Sequence, residues 1–470
     1  MLFNSWEFVA LVLVTMLLYY LRTLRRFQVG ILVIASFVFY GSHNPLLLLL
    51  LVFSVFINAL TSWKVQHGGK ASARAWAIAG VVANLLTLGL FKYAGLFANT
   101  LPLPVDASEF LSSIPLPIGI SFFTFQGISL LVDVWLEKSE DSPDIQEENR
   151  VAVDSVKEHF LNTVFYISFF PQLVAGPIVK AKEFFPQIRE KYFGSIDWDF
   201  CFQKLVLGYF LKMFVADNLK DYTFWIQYPY FLNLSATDLT ILLFGYSMQI
   251  FADFAGYSLI AIGVAGLFGY RLPENFNFPY IAASFSEFWR RWHISLSTWL
   301  RDYLYFPLGG NRKGSVRTYF NLFVVMFLGG LWHGAAWSYA VWGTVHGIAL
   351  AAERLLKNRF AIPPRKAMVS LQRLGVFIFV TLAWLLFKLP EFDHVVSYFG
   401  AMASNAFQKP KLTNIYYVGF FSVPVIVYHA LYLLNLKQWK IRLKPYLLGT
   451  MIFLLLFNSG SPGGFIYFQF

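Results

Sequence analysis

Long apolar runs alternate with short polar or basic connections along this chain. Phe8–Leu21, Val29–Tyr40, Leu46–Ser62, Ala75–Phe91 and Leu116–Leu136 reach or approach the roughly 20 residues a spanning helix needs. Phe202–Val215, Leu239–Phe254, Leu374–Leu389, Tyr416–Leu434 and Tyr446–Phe457 continue the series. None alternates with period 2, and backbone in lipid must bond to itself, so helices are predicted rather than a barrel. The expectation is an all-α integral membrane protein, one polytopic domain over residues 1–470. About eleven crossings, with re-entrant or interfacial helices, would surround a central cavity.

Two stretches break the pattern. Within His159–Val179 the motif P-Q-L-V-A-G-P-I places Pro171, Gly176 and Pro177 in apolar sequence, and Lys180, Lys182, Arg189 and Lys191 follow. Such a segment reads as re-entrant, covered by protein or bordering a cavity, or else as a proline kink. The second stretch, Ser286–Gly347, begins aromatic, basic and amphipathic, as at a membrane–water boundary. It continues as an apolar segment that carries His333 and His346. An ionisable side chain there is a candidate functional group, or a packing histidine bonded to a carbonyl. Asp253, near the end of another apolar run, would orient a histidine or cap a helix.

Basic residues set the expected orientation. Arg22, Arg25 and Arg26 follow the first run directly, which puts them inside and the N-terminus outside. That run has no basic stretch before it and no small-x-small site after it, so it reads as a retained helix. Lys64, Lys70 and Arg74, then Arg354 to Arg373, then Lys437 to Lys444 mark further inside loops. The aromatic tail at residues 459–470 is therefore expected outside. Glu137–Glu158 is the most polar stretch and reads as a solvated connection without chemistry.

Composition agrees with this picture. Mean hydropathy is +0.56 and 13% of residues are charged, about half the share of a soluble domain. The net charge of +11 does not imply nucleic acid, because the Lys and Arg residues sit between apolar runs where anionic lipid explains them. The single cysteine, Cys201, excludes an intramolecular disulfide and a cysteine metal cluster. The histidines show no H-E-x-x-H pattern, so no metal site is expected.

The motif W-R-R-W-H-I-S-L-S-T-W-L-R-D-Y-L-Y-F-P-L-G-G-N-R-K-G from Trp289, then G-L-W-H-G-A from Gly330, resembles the membrane-bound O-acyltransferase family. The likeness is to the bacterial branch of alginate O-acetylases and of peptidoglycan and cellulose O-acetylation, with teichoic acid D-alanyltransferases as relatives. F-P-Q-L-V-A-G-P-I and the final F-I-Y-F-Q-F extend it over most of the chain.

The resemblance implies an acetyltransferase of the bacterial cytoplasmic (inner) membrane. It would use cytoplasmic acetyl-CoA as donor and bind no permanent cofactor. Its partner would be an extracytoplasmic polysaccharide acetyltransferase. The family's catalytic histidine falls on His333, with His293 as the second histidine of the branch. The tail resembles a small companion peptide in which a tyrosine is proposed to carry the acyl group, here Tyr467. The glycines of G-S-P-G-G before it would give that tail freedom.

Acyl transfer to oxygen needs a base, a stabilised oxyanion and aligned reactants. Burial favours neutral imidazole, so His333 suits the base. Arg290, Arg291, Arg301, Arg312 and Lys313, with Trp332 beside the histidine, form the candidate donor-binding set. The basic residues would equally suit lipid headgroups. Gly329, Gly330, Gly334, Ala335 and Ala336 leave room for a thin acyl-pantetheine arm or for tight helix packing. The competing class is a transporter or flippase for a lipid-linked sugar, but the related halves common in transporters are absent from the sequence.

Overall fold

The computed structural model describes residues 1–42, 44–139, 150–174, 176–359, 366–434, 437–461 and 463–464. Among these residues all regular structure is helical. Eight helices are long and apolar enough to cross a membrane, and Trp6–Tyr20 and Leu443–Phe457 are shorter apolar helices. The expected all-α multi-pass membrane architecture is thus observed.

The chain forms two compact units. The first comprises Met1–Leu205 and Ile260–Pro273, and the second Val206–Leu259 and Glu274–Phe470.

In the first unit, helices Pro45–His67, Lys70–Thr100 and Ile120–Ser139 pack together. Their polar residues pair across the contacts. Asn58 and Asn84 exchange side-chain hydrogen bonds at 3.2 and 2.8 Å, and Lys92 donates to Ser121 Oγ at 3.0 Å. Outward side chains such as Leu13, Leu17 and Leu86 stay exposed, as lipid-facing positions do.

This unit also explains the Pro/Gly motif. Helix Val156–Ser168 stops before Pro171, a single turn follows at Phe170–Leu173, and the chain then runs irregularly to Lys180. Thirteen residues rise only about 20 Å, too short to cross a bilayer. Buried partners satisfy the break. Tyr166 Oη donates to the Val179 carbonyl at 2.7 Å, and Gln172 Nε2 donates to the Tyr166 carbonyl at 2.6 Å. A Cβ at Gly176 would overlap the backbone of Gln172. The segment is broken rather than kinked, and protein covers its irregular backbone.

The second unit is built on helices Gly314–His333, Trp337–Arg359 and Lys366–Lys388, with the first part of the 32-residue helix Ala236–Leu267. The Gly314–His333 and Trp337–Arg359 helices touch backbone to backbone. A Cβ on Gly330 would overlap the Tyr339 carbonyl, and one on Gly343 would overlap that of Met326. Gly334 is likewise closed off by the Tyr339 ring. Gly330 and Gly334 therefore serve tight packing, while Gly329 lies on a cavity wall.

Two features depart from the sequence reading. Asp253 does not cap a helix: it lies inside Ala236–Leu267 and accepts from Lys212 Nζ at 2.7 Å. Lys212 sits in a π-helical stretch, Phe210–Ala216, and donates equally to Asp217 at 2.7 Å. Close approach makes this reachable, because a Cβ on Gly256 would come within 2.8 Å of Lys212 N.

The segment after the last helix is also fastened. Asn218 Nδ2 donates to the Asn458 carbonyl at 3.4 Å, Lys220 Nζ donates to the Ser461 carbonyl at 3.2 Å, and Ser461 Oγ donates to Asp221 at 2.8 Å. At Gly460, with φ +66°, a Cβ would stand 2.9 Å from Asn218 N. The glycines here permit close docking instead of the freedom expected of them. Tyr467 and the rest of residues 465–470 lie outside the described residues.

Candidate active site

The motif stretch folds as three short helical pieces, Phe285–Arg291, Ile294–Leu300 and the π-helical Arg301–Tyr305. His293 stands at the turn between the first two, with left-handed backbone (φ 43°, ψ 55°). A non-glycine residue is held there only by surrounding structure, at a cost of order 1–3 kcal/mol.

The holding group is Asn275, which is 1% exposed. Its carbonyl accepts from Ile294 N at 2.9 Å, and its Oδ1 accepts from Ser295 Oγ at 2.6 Å. Its Nδ2 donates to Ser258 Oγ at 3.0 Å. Asn277 N donates to the Arg291 carbonyl at 2.9 Å. Asn275 escapes sequence reasoning because Asn in a Gly/Pro-rich connection reads as a turn residue.

His333 ends the Gly314–His333 helix and is 3% exposed. Its ring centroid lies 5.1 Å from that of Trp332, 5.2 Å from Trp342, 5.3 Å from Phe387 and 6.1 Å from His293. His293 is fully buried, edge-on to Phe254 at 4.6 Å and 5.8 Å from Trp332. Neither of its ring nitrogens has a hydrogen-bond partner among the described residues. It lies outside the candidate spans, and burial lowers its pKa to about 3, so this imidazole is neutral.

The two histidines named from the motifs are thus brought together inside an aromatic cage. His346 is buried separately, among Phe288, Trp289, Trp342 and Phe379.

A cavity of about 120 Å³ opens beside His333. Its walls are Leu296, Ser297, Leu300, Val325, Met326, Gly329 and Leu350, closed by Trp289 and Trp342. The arrangement offers a buried imidazole facing a small, mostly aliphatic space. No group of three or more histidine, cysteine or acidic residues that could hold a metal occurs among the described residues.

The basic set divides. Arg291 pairs with Glu287 at 2.8 Å, and Arg301 pairs with Asp302 at 2.7 Å. Arg290, Arg312 and Lys313 are exposed and have no acidic partner among the described residues. Trp332 is buried against both histidines and is not part of that exposed group.

Comparison with known proteins gives a consistent picture. The model of the membrane-bound O-acyltransferase family matches residues 103–390. A probable alginate O-acetylase of Pseudomonas aeruginosa is 36% identical over 451 residues, covering 93% of this chain and 82% of its own. A peptidoglycan O-acetyltransferase of Helicobacter pylori is 36% identical over 384 residues, 77% of this chain and 71% of its own. A teichoic acid D-alanyltransferase of Bacillus subtilis is 27% identical over 392 residues, 79% of this chain and 93% of its own.

Proposed function

The chain belongs to the membrane-bound O-acyltransferase family and is an O-acyltransferase, and on that premise we propose that it moves acetyl groups from cytoplasmic acetyl-CoA towards an extracytoplasmic polysaccharide. The observation that carries this reading is the pairing of buried His333 with a cavity of about 120 Å³. An apolar cavity of about 150 Å³ accommodates benzene, so this space suits a two-carbon acyl group and not a long chain. The relatives named for alginate and peptidoglycan O-acetylation support polysaccharide as the final acceptor.

In this scheme His333 takes the proton of the acceptor hydroxyl as its oxygen attacks the thioester carbonyl. The C–O bond forms, the C–S bond breaks, and the leaving thiolate recovers the proton from the imidazolium. His293 positions the reactants from the facing turn. The inner membrane is the site of action, with an acetyltransferase partner on the outer side receiving the acyl group.

The first acceptor proposed is the phenol of Tyr467. Full ionisation of a phenol of pKa near 10 by an imidazole near 6.5 costs roughly 5 kcal/mol, so proton loss must accompany attack. A phenyl ester stays activated enough to pass acetyl on. The docked segment Asn458–Ser461 limits how much of the tail is available to reach both reactions. Tyr467→Phe keeps the aromatic ring and is expected to block polysaccharide acetylation. Intact-mass analysis of wild type incubated with acetyl-CoA is expected to find one acetyl on Tyr467. Full acetylation by Tyr467→Phe would exclude this tyrosine as acceptor and leave the aromatic tail as an interfacial anchor.

Donor binding is assigned to the cations that lack acidic partners. Arg290→Glu or Arg312→Glu is expected to raise the KM for acetyl-CoA by about tenfold with kcat little changed, since a lost phosphate contact is a charge-assisted hydrogen bond. Arg301→Glu is a poorer probe, because it would set a carboxylate against Asp302. Unchanged KM in both Arg290→Glu and Arg312→Glu would assign these residues to lipid headgroups.

A further inference from the structure

The cavity beside His333 is pinched between two residues that approach each other from different helices. On Gly314–His333 its lining runs from Val325 to His333, about 12 Å of helix. Gly329 lies on that wall one turn before His333, about 6 Å along the axis. Leu300, the last residue of Ile294–Leu300, lies on the opposite wall and is buried.

A Cβ built on Gly329 would stand 3.2 Å from Leu300 Cδ1. Apart from its chain neighbours and its own helix backbone, nothing else lies within 4 Å of that position. Gly329 is itself buried, so the empty space around the added methyl is the cavity. Neither backbone is free to give way. Gly314–His333 is pressed on Trp337–Arg359, where a Cβ on Gly343 would overlap the Met326 carbonyl. Ile294–Leu300 is held at its start by the bonds that Asn275 accepts from Ile294 N and Ser295 Oγ. The width at this level is therefore set by the Leu300 side chain and by the lack of one at position 329.

We infer that Leu300 and Gly329 set the length of the acyl chain this enzyme takes, and the inference rests on the acyl-transfer reading above. With the thioester carbonyl beside His333, an acetyl methyl extends only about 1.5 Å further and stops short of the pinch. Each additional methylene has to enter between Gly329 and Leu300 and push the Leu300 side chain aside. One methylene in an apolar pocket separates substrates by about 10–200-fold, which is enough to exclude butyryl and longer chains. The substrate class is thus the shortest acyl thioesters.

The test compares free CoA released from acetyl-, propionyl- and butyryl-CoA by purified protein in detergent, each donor as kcat/KM. Wild type is expected to favour acetyl-CoA over butyryl-CoA by about 100-fold. Leu300→Ala opens the pinch and is expected to raise the butyryl-to-acetyl ratio by about tenfold or more. Gly329→Ala narrows it and is expected to lower the propionyl-to-acetyl ratio by about tenfold. Loosened packing alone would slow all three donors alike and leave both ratios where they were. Should Leu300→Ala fail to fold, Leu300→Val takes its place, and Gly329→Ala gives the opposite sign independently. A ratio within about threefold of wild type in either variant overturns the assignment, as does a wild type that takes butyryl-CoA as readily as acetyl-CoA. A wild type that releases no CoA from acetyl-CoA, or a His333→Ala protein that releases it equally fast, refutes the underlying reading instead.

Discussion

Changing His333 to alanine is expected to remove acyl transfer while leaving a folded, inserted protein. The imidazole is the candidate base facing the cavity, and general-base catalysis contributes about 10²–10⁴-fold, enough to take turnover below detection in most assays. The substitution buries no new charge. The helix holding residue 333 is fixed by the Gly330 and Gly343 contact, which does not depend on that side chain. Detergent-solubilised His333→Ala is therefore expected to unfold within a few degrees of wild type. His293→Ala is expected to reduce activity without abolishing it, because that residue faces His333 from the neighbouring turn at 6.1 Å. Near-normal turnover in His333→Ala would remove it from the chemistry. Complete loss in His293→Ala with retained activity in His333→Ala would exchange the two roles.

The architecture was legible in the apolar periodicity because lipid demands long helices whose backbone bonds internally. His333 stood out, together with His346, because an imidazole in an apolar segment needs a reason, whereas His293 was named by the family resemblance. The break at Pro171–Pro177 was legible for a similar reason: proline and glycine interrupt a helix wherever they occur.

What stayed hidden depends on partners distant in sequence. Asp253 could be flagged as an oddity, but its partner Lys212 lies 41 positions earlier and reads as one more basic residue near a helix end. A π-helical turn at Phe210–Ala216 shifts side chains off the 3.6-residue period, so no pattern reading would aim Lys212 inward. Trp289 and Trp342 read as membrane-belt aromatics. Only the fold puts both on the wall of one cavity. Arg301 pairs with Asp302 and Arg291 with Glu287, in each case with an acid close by in sequence.

Lys212→Met is expected to be among the most destabilising single changes available in this protein. Lys212 Nζ sits 2.7 Å from both Asp217 Oδ1 and Asp253 Oδ1, and all three side chains are at most 4% exposed. Breaking a buried ion pair by deleting one partner typically costs 3–5 kcal/mol, about the lower end of a whole protein's stability. Here the deletion strands two carboxylates facing each other, which can relieve the repulsion only by taking up a proton or by drawing in water. The damage also has a route to the candidate active site. Asp253 is followed by Phe254, whose ring packs on His293, and Asp217 begins the helix to which Asn458–Ser461 is fastened.

Asp217→Asn is expected to be mild by comparison. Burial pushes the pKa of that carboxyl up although Lys212 pulls it down, so a full charge there is costly to hold. An asparagine oxygen would still accept from Lys212 and leave the Lys212–Asp253 pair neutral overall. Thermal unfolding in detergent at pH 7 is therefore expected to rank wild type close to Asp217→Asn, with Lys212→Met far below both. Adding Asp217→Asn to Lys212→Met is expected to recover part of the loss by removing one stranded charge. A Lys212→Met protein that melts with wild type would mean water already solvates this cluster, and the cluster would hold no share of the stability.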